Sequence, residues 1–381
     1  MSSEHAAALA ALAAKDRLRR LNPRAGVDFS SNDYLALAES EEMRLAIEAA
    51  LGRGVPVGAG GSRLLRGNHP EHEALEEEAA AFFHSETALF FASGYMANFA
   101  LFSTLPQRGD LVVYDALVHA SAHDGMRNGR AERIAVRHND VDAFEDAIAG
   151  WRKAGNRGRP WIAVESLYSM DGDTAPLADL AEVAKRFDAM LLIDEAHATG
   201  VFGPDGRGLG ARLEGLPNVI SLHTCGKALG AVGALVTAPR TLRDFIVNRG
   251  RPFVFATAPS PLMASAVRAS LDLCRGRPER REHLAARVGR ASRALSEHCG
   301  IRPSGSQIMP VVIGADADAV TLAQALQGHG FDIRPVRPPT VPEGTARLRI
   351  AVTLNVTDDD VERLARAVRT ELDRLGLRPL S

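Results

Sequence analysis

Short apolar runs alternate with helical stretches from Ala88 onward. The runs A-L-F-F, L-V-V-Y, W-I-A-V and A-M-L-L-I are each short and end at polar residues or glycine. Short, continuous apolar runs with such boundaries are typical of buried strands. Strands that alternate with helices favour an α/β fold built on a mostly parallel sheet. We therefore predict a large α/β domain around a doubly wound or mixed central sheet.

The pattern divides the chain into three regions. Residues 1–45 are predicted to hold an N-terminal helix, over residues 6–21, and a segment that contacts substrate; the turn sequence N-P-R-A-G ends the helix. Residues 46–270 form the predicted large domain. Residues 271–381 follow a different order of strand, helix, strand, strand and helix, which predicts a small C-terminal α+β domain.

Polar side chains stand where two of the predicted strands end. Asp194 follows the apolar run A-M-L-L-I and begins D-E-A-H-A-T-G, which also contains His197. A second run, residues 219–222, ends just before Thr224 and Lys227. Open α/β sheets bind ligands at the carboxyl ends of their strands. We expect these four side chains to share one crevice.

This set of groups suits pyridoxal 5'-phosphate. A lysine amine holds the cofactor aldehyde as a Schiff base, and a carboxylate keeps the pyridine nitrogen protonated, so that the ring accepts electrons. Each residue alone has a simpler interpretation, because Asp194 could cap a helix and Lys227 could lie in a solvated turn. Their order and spacing together favour the cofactor.

Two further features belong to the same hypothesis. The amides around Gly94 and Tyr95, in a predicted turn before a helix, are suited to binding a phosphate. His119 follows another strand and is either an ordinary core histidine or an imidazole that lies over the ring. Separately, His69 and His72 precede an amphipathic helix, where capping and a surface position are favoured over metal binding.

Composition narrows the possible partners. The chain has 381 residues, 46% of them hydrophobic, and a net charge of -2, so it can bury a large core and lacks the basic excess of a nucleic-acid-binding protein. Its three cysteines have no metal-ligand spacing, and no apolar run reaches the length of a membrane span. We expect a cytoplasmic protein that acts on small molecules, with no metal, no nucleic acid and no membrane.

The last predicted strand, A-R-L-R-I-A-V, places Arg347 and Arg349 on one face. Arginine on a strand beside a cleft is suited to binding a carboxylate through two hydrogen bonds. The alternative is a pair of surface arginines on an exposed strand.

Several motifs occur in a characteristic order. They are S-S-N-D-Y-L, G-A-G-G-S-R, S-G-Y-M-A-N, V-H-A-S, S-M-D-G-D, D-E-A-H-A-T-G-V-F-G-P-D-G-R-G, T-C-G-K-A-L-G and R-P-P-T-V-P-E-G-T-A-R-L-R. Together they resemble the α-oxoamine synthases, fold-type I pyridoxal phosphate enzymes, over nearly the whole chain. The resemblance implies a large cofactor-binding α/β domain, a smaller C-terminal domain and a homodimer with shared active sites.

The resemblance also implies roles for residues at the cofactor. Lys227 would form the Schiff base and carry the substrate proton, Asp194 would pair with the pyridine nitrogen, and His197 would face the ring hydroxyl. His119 would stack on the ring and act in catalysis. The other implied cofactor contacts are Ser169 and Thr224, with Gly94, Tyr95 and Thr257 near the phosphate.

For the substrates, the resemblance implies that Arg349 takes the amino-acid carboxylate, with Asn32 nearby. Arg19, Arg337 and Thr340 match positions near the acyl substrate. The run R-P-P-T-V-P-E-G-T-A-R-L-R is most similar to family members that condense L-alanine with a pimeloyl thioester, carried by coenzyme A or a carrier protein.

Two alternatives remain at this level. One is a sister enzyme of the same fold that uses glycine and acetyl-CoA, or that resembles serine palmitoyltransferase. The other is a catalytically silent cofactor-binding module such as the sensing domain of a regulator, although the sequence has no evident helix-turn-helix extension.

Overall fold

A computed structural model describes residues 3–380. The helices are α1 Ser3–Ala13, α2 Glu41–Gly52, α3 Pro70–Phe82, α4 Gly94–Thr104, α5 Ala120–Asn128, α6 Val141–Lys153, α7 Leu177–Arg186, α8 Arg240–Arg249, α9 Arg251–Val254, α10 Pro261–Gly276, α11 Pro278–Cys299, α12 Asp316–Gly328 and α13 Asp358–Leu375. The strands are β1 Val27–Asp28, β2 Thr87–Phe91, β3 Leu111–Asp115, β4 Glu132–Val136, β5 Pro160–Glu165, β6 Met190–Asp194, β7 Val219–Thr224, β8 Ala234–Ala238, β9 Ile308–Gly314, β10 Phe331–Asp332, β11 Pro335–Val336 and β12 Ala346–Ala351.

The described chain separates into two compact units. The large unit comprises residues 35–168 and 174–281, and the small unit comprises residues 3–34, 169–173 and 282–380. The sequence-based division into residues 1–45, 46–270 and 271–381 groups the termini differently and stays a prediction.

A mixed but mostly parallel sheet forms the centre of the large unit. Within residues 3–380 its seven strands have the order β2-β8-β7-β6-β5-β3-β4. Strand β8 is antiparallel to both of its neighbours, and the other pairs are parallel. The carboxyl ends of β2, β7, β6, β5 and β3 therefore meet at one edge of the sheet. This architecture confirms the predicted α/β fold class.

Helices cover both faces of this sheet. In β3, the side chain of Val112 joins the core beneath α4, whereas Leu111 and Val113 join the core beneath α6 and α7. Successive strand residues point to opposite faces, so a strand covered on both sides must be apolar throughout. This is why the sequence shows continuous apolar runs rather than alternation.

The small unit contains an antiparallel sheet in the order β11-β12-β9 and a separate parallel pair, β1 with β10. Every residue of the central strand β12 is buried. The predicted small domain of strands and helices is therefore present, although its second predicted strand is broken into β10 and β11.

The N-terminal helix is shorter than predicted. Helix α1 ends at Ala13, and the predicted extension through residue 21 is wrong. Asp16 has φ of 54°, which interrupts a right-handed helix, and Arg17 forms an ion pair with Asp316. No side chain of α1 is buried, so only its intrinsic helix propensity favours this helix.

Within residues 3–380, no helix combines the length and apolar character needed to cross a bilayer.

His69 and His72 form a capping box at the start of α3, which confirms the predicted capping, but His72 is fully buried and its predicted surface position is wrong. The Nδ1 atom of His69 accepts from the amide of Glu71, and Nδ1 of His72 accepts from the amide of His69. The Nε2 atom of His72 lies 2.8 Å from the carbonyl of Pro259 and must donate to it. This arrangement requires a neutral ring, and burial lowers the pKa of His72 to about 4.

Stability should therefore depend on pH through His72. Between about pH 6.5 and pH 4 the unfolded chain binds a proton that folded His72 does not, so the free energy of unfolding falls as pH falls through this window. Lowering the pH from about 6.5 to about 5 should remove roughly 2 kcal/mol through this group. In urea unfolding, His72→Asn should flatten this dependence, whereas His5→Asn on exposed α1 should not. Parallel profiles for wild type and His72→Asn would contradict the assignment.

Candidate active site

Polar side chains of the large unit gather at the carboxyl edge of its sheet. Asp194 is the last residue of β6 and Thr224 the last of β7. Helix α4 begins at Gly94 shortly after β2, and His119 caps α5 shortly after β3. The parallel strands deliver all of these residues to one side of the sheet.

Asp194 is oriented by two donors. Its side chain accepts a hydrogen bond of 2.7 Å from Nδ2 of Asn98 and one of 2.9 Å from the amide of Ala196. Asn98 lies within α4 and also donates to the hydroxyl of Ser121, at 3.1 Å. A carboxylate that is only 8% exposed needs such donors. Helix α4 therefore orients Asp194, the predicted partner of the pyridine nitrogen, through Asn98.

His119 joins the same network through Ser121. Its Nδ1 atom lies 2.7 Å from the hydroxyl of Ser121 and accepts from the amide of that residue. Loss of water contact lowers the pKa of His119, Asp194 opposes this shift, and the charge of Lys227 adds to it. The ring is therefore neutral near pH 7 with its proton on Nε2. His119 as a whole is exposed on the large unit.

Lys227 lies in a closed turn after β7. Cys225 donates to the carbonyl of Gly233, and the amide of Gly230 donates to the carbonyl of Lys227. The Nζ atom of Lys227 is 2.7 Å from Nε2 of His197. The amine and the imidazole predicted to face the ring hydroxyl are thus in contact.

The start of α4 closely approaches the end of β7. A Cβ atom at Gly94 would lie 2.6 Å from Cγ2 of Thr224, so this contact requires glycine. The hydroxyl of Thr224 donates to the carbonyl of Ala196. The first amides of a helix have no acceptor within it, and here the Ser93 side chain accepts from Met96. The amides of Gly94 and Tyr95 are suited to an anion.

These groups fit pyridoxal phosphate. The cofactor requires an amine for its aldehyde, a carboxylate for its ring nitrogen and an anion site for its phosphate. Lys227, Asp194 and the start of α4 provide these groups in one unit. Within residues 3–380, no cluster of three or more His, Cys, Asp or Glu is arranged to hold a metal ion.

The small unit contains a second polar site around Arg349. This arginine is only 8% exposed, which excludes the surface interpretation. It donates to the carbonyl of Ser169 at 2.5 Å, to Oδ1 of Asn32 at 2.9 Å and to the hydroxyl of Tyr34 at 3.1 Å. Burial raises the pKa of Tyr34, so its hydroxyl stays neutral near Arg349. All three partners of the guanidinium are neutral.

Arg347, on the same strand, provides a direct comparison. It is also buried, but it forms an ion pair of 2.5 Å with Asp171. In the described part of the chain, no Asp or Glu forms an ion pair with Arg349. A buried guanidinium without a counter-charge is unfavourable unless an anion binds to it. Of the two arginines, only Arg349 has neutral partners alone, so its charge is suited to binding a carboxylate from outside the protein.

The predicted acyl-binding residues also lie together in the small unit. Arg19 donates to the hydroxyl of Thr340 at 3.0 Å, and Arg337 donates to the carbonyl of Asp16. Removal from water lowers the pKa of Arg337, and the neighbouring charge of Arg19 lowers it further. A cavity of about 660 Å³ is lined by both arginines and by Arg20 and Arg334. This surface is suited to an anionic group.

The structure thus brings most predicted site residues into two groups, one in each unit. Ser169, predicted at the cofactor, belongs to the small unit through its bond to Arg349. Thr257 lies on an exposed loop between α9 and α10, and within residues 3–380 no hydrogen bond joins it to either group. Sequence reasoning missed the roles of Asn98, Ser121 and Tyr34. An amide within the apolar helix sequence A-N-F-A-L-F was the available signal for Asn98.

Comparison with known proteins agrees with this geometry. A model of the family aminotransferase class I and II matches residues 24–368. The 8-amino-7-oxononanoate synthase of Aromatoleum aromaticum is 42% identical over 93% of this chain and 92% of its own. The enzyme of the same name from Marinobacter nauticus is 41% identical over 90% of this chain and 86% of its own.

Solved structures agree as well. A serine palmitoyltransferase from S. paucimobilis with bound PLP matches with a TM-score of 0.89 at 26% identity, over 98% of both chains. An 8-amino-7-oxononanoate synthase from Francisella tularensis matches with a TM-score of 0.76 at 25% identity, over 92% of this chain and 99% of its own.

The chain therefore belongs to the aminotransferase class I and II family, and it is a fold-type I pyridoxal-phosphate-dependent enzyme of the acyltransferase type. Within that family, its curated relatives place it among the 8-amino-7-oxononanoate synthases.

The close contact between Gly94 and Thr224 predicts that substitution of Gly94 weakens cofactor binding and that a second substitution at Thr224 restores it. Gly94→Ala should push α4 away from β7 at a cost of about 1–3 kcal/mol, which would weaken pyridoxal phosphate binding by roughly tenfold or more. Thr224→Ser removes Cγ2 but keeps the hydroxyl, so the double variant should recover most of the affinity. Titration of the apoprotein with cofactor, followed by visible absorbance, measures both effects. Equal affinities for the single and double variants would contradict this explanation.

Proposed function

We propose that this protein is an 8-amino-7-oxononanoate synthase, which condenses L-alanine with a pimeloyl thioester and releases carbon dioxide and the free thiol, in biotin biosynthesis. The observation that carries the proposal is the buried, unneutralised guanidinium of Arg349 in a chain that also holds Lys227 and Asp194 at a pyridoxal phosphate site. An amino acid supplies the carboxylate that Arg349 lacks, and the named relatives support the choice of substrates.

Each residue of the large unit has a chemical task. When bound, the cofactor supplies an electron sink for a carbanion at the α-carbon of the amino acid. Asp194, held by Asn98, keeps the ring nitrogen protonated. Lys227 holds the cofactor before reaction and then removes the α-proton at its Nζ atom. Neutral His119 presents its ring face for stacking, and His197 faces the ring hydroxyl.

The remaining cofactor contacts are also proposed. Thr224 and the amides at Gly94 and Tyr95 would bind the phosphate end, which the helix dipole favours. Ser169 would bind a polar group of the ring.

The small unit would bind the substrates. Arg349 would hold the carboxylate of L-alanine through charge-assisted hydrogen bonds, with Asn32 and Tyr34 keeping the guanidinium in place. Arg19, Arg337 and Thr340 would bind the acyl substrate, whose distal carboxylate suits the two neighbouring guanidinium groups. Loss of the thiol and then of carbon dioxide completes the condensation, and Lys227 returns a proton to the product carbon.

A serine palmitoyltransferase is the second candidate, because serine palmitoyltransferases match the fold with TM-scores of 0.89 and 0.85. Such an enzyme would use L-serine and a long-chain thioester. The fold is shared by both activities, so substrate preference must decide between them.

A substrate panel tests the proposal. The cofactor-loaded protein should release thiol fastest with L-alanine and pimeloyl-CoA, and mass spectrometry should detect 8-amino-7-oxononanoate. Mixtures of glycine with acetyl-CoA and of L-serine with palmitoyl-CoA should be far slower. A higher kcat/KM for either mixture would move the function to a sister enzyme, and no turnover of any pair would favour a silent cofactor-binding module.

Matched variants connect that activity to the site. Lys227→Ala should fold but show no steady-state turnover. Arg349→Gln should raise the KM for L-alanine by about 30-fold, equivalent to roughly 2 kcal/mol for a charge-assisted bond. Arg347→Gln, on the same strand, should reduce stability but leave that KM nearly unchanged. Similar KM values for both arginine variants would count against the role of Arg349.

We also propose a homodimer. Four apolar side chains, here called the apolar loop surface, are exposed on adjacent loops of the large unit: Val57, Leu64, Leu65 and Phe255. The loops are joined because Ser260 donates to the carbonyl of Val57 and Ala258 donates to the carbonyl of Gly61. Leu65 is 88% exposed, so a second copy of the chain would shield this surface from water. Thr257 lies on the same loops, which supports the proposal that it contributes to the cofactor site of the neighbouring subunit.

Light scattering after size-exclusion chromatography tests the dimer. Wild type should have twice the mass of the 40.7 kDa chain, and Leu65→Asp should shift the equilibrium towards that monomer mass. Leu216→Asp, at an exposed leucine outside the apolar loop surface, is the control and should stay dimeric. A monomeric wild type, or a fully dimeric Leu65→Asp, would reject this interface.

The three cysteines support a reducing compartment, and we propose the cytoplasm. Cys225, Cys274 and Cys299 are buried free thiols. Burial raises the pKa of each, to about 12 for Cys274 and about 11 for Cys299, so all three remain protonated.

A further inference from the structure

Residues 194–200, here called the catalytic turn, carry both Asp194 and His197. The turn is held at its start by Glu195. This fully buried carboxylate accepts from the hydroxyl of Ser166 at 2.6 Å and from the amides of Leu209 and Gly210. Burial raises the pKa of Glu195.

The far end of the catalytic turn is held by a separate buried network. The hydroxyl of Thr199 lies 2.9 Å from the carbonyl of Glu195 and 2.9 Å from Nδ1 of His223. On its other side, Nε2 of His223 lies 2.9 Å from the Glu214 carboxylate. His223 is completely buried and stacks on Phe83, with ring centroids 3.7 Å apart. None of these side chains belongs to the proposed substrate or cofactor contacts.

Strand geometry separates His223 from the cofactor. His223 and Thr224 are consecutive in β7, and neighbouring strand residues point to opposite faces. Thr224 contacts the backbone of the catalytic turn at Ala196, whereas His223 reaches the turn from the other face at Thr199. The hydrogen bond between His223 and Thr199 therefore joins the buried network to the turn from the face opposite Thr224.

The hydrogen bonds have a defined direction. The Glu214 carboxylate only accepts, so Nε2 of His223 donates to it. In the tautomer with its proton on Nε2, Nδ1 of His223 is an acceptor, and the Thr199 hydroxyl lies between this atom and the carbonyl of Glu195. Glu214 in turn receives the hydroxyl of Thr237 at 3.1 Å. Glu214 thus fixes the ring, and the ring fixes Thr199. Loss of one partner would leave buried polar groups unsatisfied.

We propose that His223, backed by Glu214, is a positioning residue that holds Thr199 and thereby directs His197 towards Lys227 and the cofactor. His197 lies two residues before Thr199 in a single turn, in which Glu195 accepts from the amides of Ala198 and Thr199. A shift of Thr199 would rotate this turn and move Nε2 of His197 away from Nζ of Lys227, now 2.7 Å distant.

Two isosteric substitutions provide the test. Thr199→Val and Thr237→Val each remove one hydroxyl from the His223 and Glu214 network, but only the first touches the catalytic turn. The readout is the pH midpoint of the visible absorbance change of the bound cofactor, which reports the ionisation of the lysine-linked group. Asp194 and His119 interact electrostatically with each other, Asp124 also acts on His119, and His197 contacts Lys227; neither variant alters any of these groups.

Thr199→Val should move this midpoint by about 0.5 pH unit or more, a change of roughly threefold in the proton equilibrium. Thr237→Val should leave it at the wild-type value although both variants lose stability. Thr199→Ser keeps the hydroxyl and should restore the wild-type midpoint. A wild-type midpoint in Thr199→Val, or an equal shift in Thr237→Val, would overturn the proposal.

Variants of His223 connect the effect to the imidazole. His223→Asn places an amide, which can hydrogen-bond with Thr199, near the position of Nδ1 and should retain most of the wild-type midpoint, whereas His223→Leu should shift it as Thr199→Val does. The double variant Thr199→Val with His223→Leu should shift no further than either single variant, because both remove one interaction. An additive shift would show independent effects and reject the mechanism.

If His223→Leu fails to fold, the comparison of Thr199→Val, Thr199→Ser and Thr237→Val still tests whether the Thr199 hydroxyl controls the midpoint. The absorbance measurement uses no substrate, so it stands even if the proposed condensation is wrong. In the proposed reaction, Thr199→Val should lower kcat by about tenfold, or 1.4 kcal/mol, and leave the KM for L-alanine within about twofold, because Arg349 is unchanged.

Discussion

A carboxylate can be buried at the end of a strand only when other groups donate to it, and this constraint on Asp194 organises the site. The donors come from two directions: Asn98 within α4 and the amide of Ala196 in the following turn. The Asn98 amide also reaches Ser121, which contacts His119. One buried charge therefore determines how a helix, a turn and a helix cap are arranged around the cofactor position.

The turn that carries Asp194 also shows how structural and chemical roles divide between neighbouring residues. His197 contacts the amine of Lys227 and Asp194 accepts from Asn98, whereas Glu195 and Thr199 belong to buried networks on the protein side. A short segment can aim catalytic side chains with precision only if its intervening residues are fixed. Burial of Glu195 and Thr199 meets this condition because their polar atoms have no water to replace the protein partners.

Charge balance explains why two similar arginines differ. Arg347 and Arg349 occupy the same face of β12, and both are buried. Asp171 neutralises the first, so it contributes to structure, whereas neutral oxygens surround the second. The cost of a buried charge without a counter-ion is recovered when a carboxylate binds. Two residues that look equivalent in a strand pattern thus have opposite consequences for function.

The sequence by itself determined the α/β class, the strands that end at Asp194 and near Lys227, and the capping by His69 and His72. These features depend on local rules, because doubly covered strands must be apolar and capping residues act within one turn. The sequence did not determine the end of α1, where Asp16 leaves the helical region and no buried face opposes this change.

Tertiary structure decided which side chains meet. Asn98 reaches Asp194 across 96 residues, Tyr34 reaches Arg349 across 315, and Glu214 and Thr199 reach His223 from opposite sides. The burial of Arg349 and its neutral surroundings also depend on these distant segments. No local pattern encodes such contacts, because they arise only when strands and helices far apart in the chain pack together.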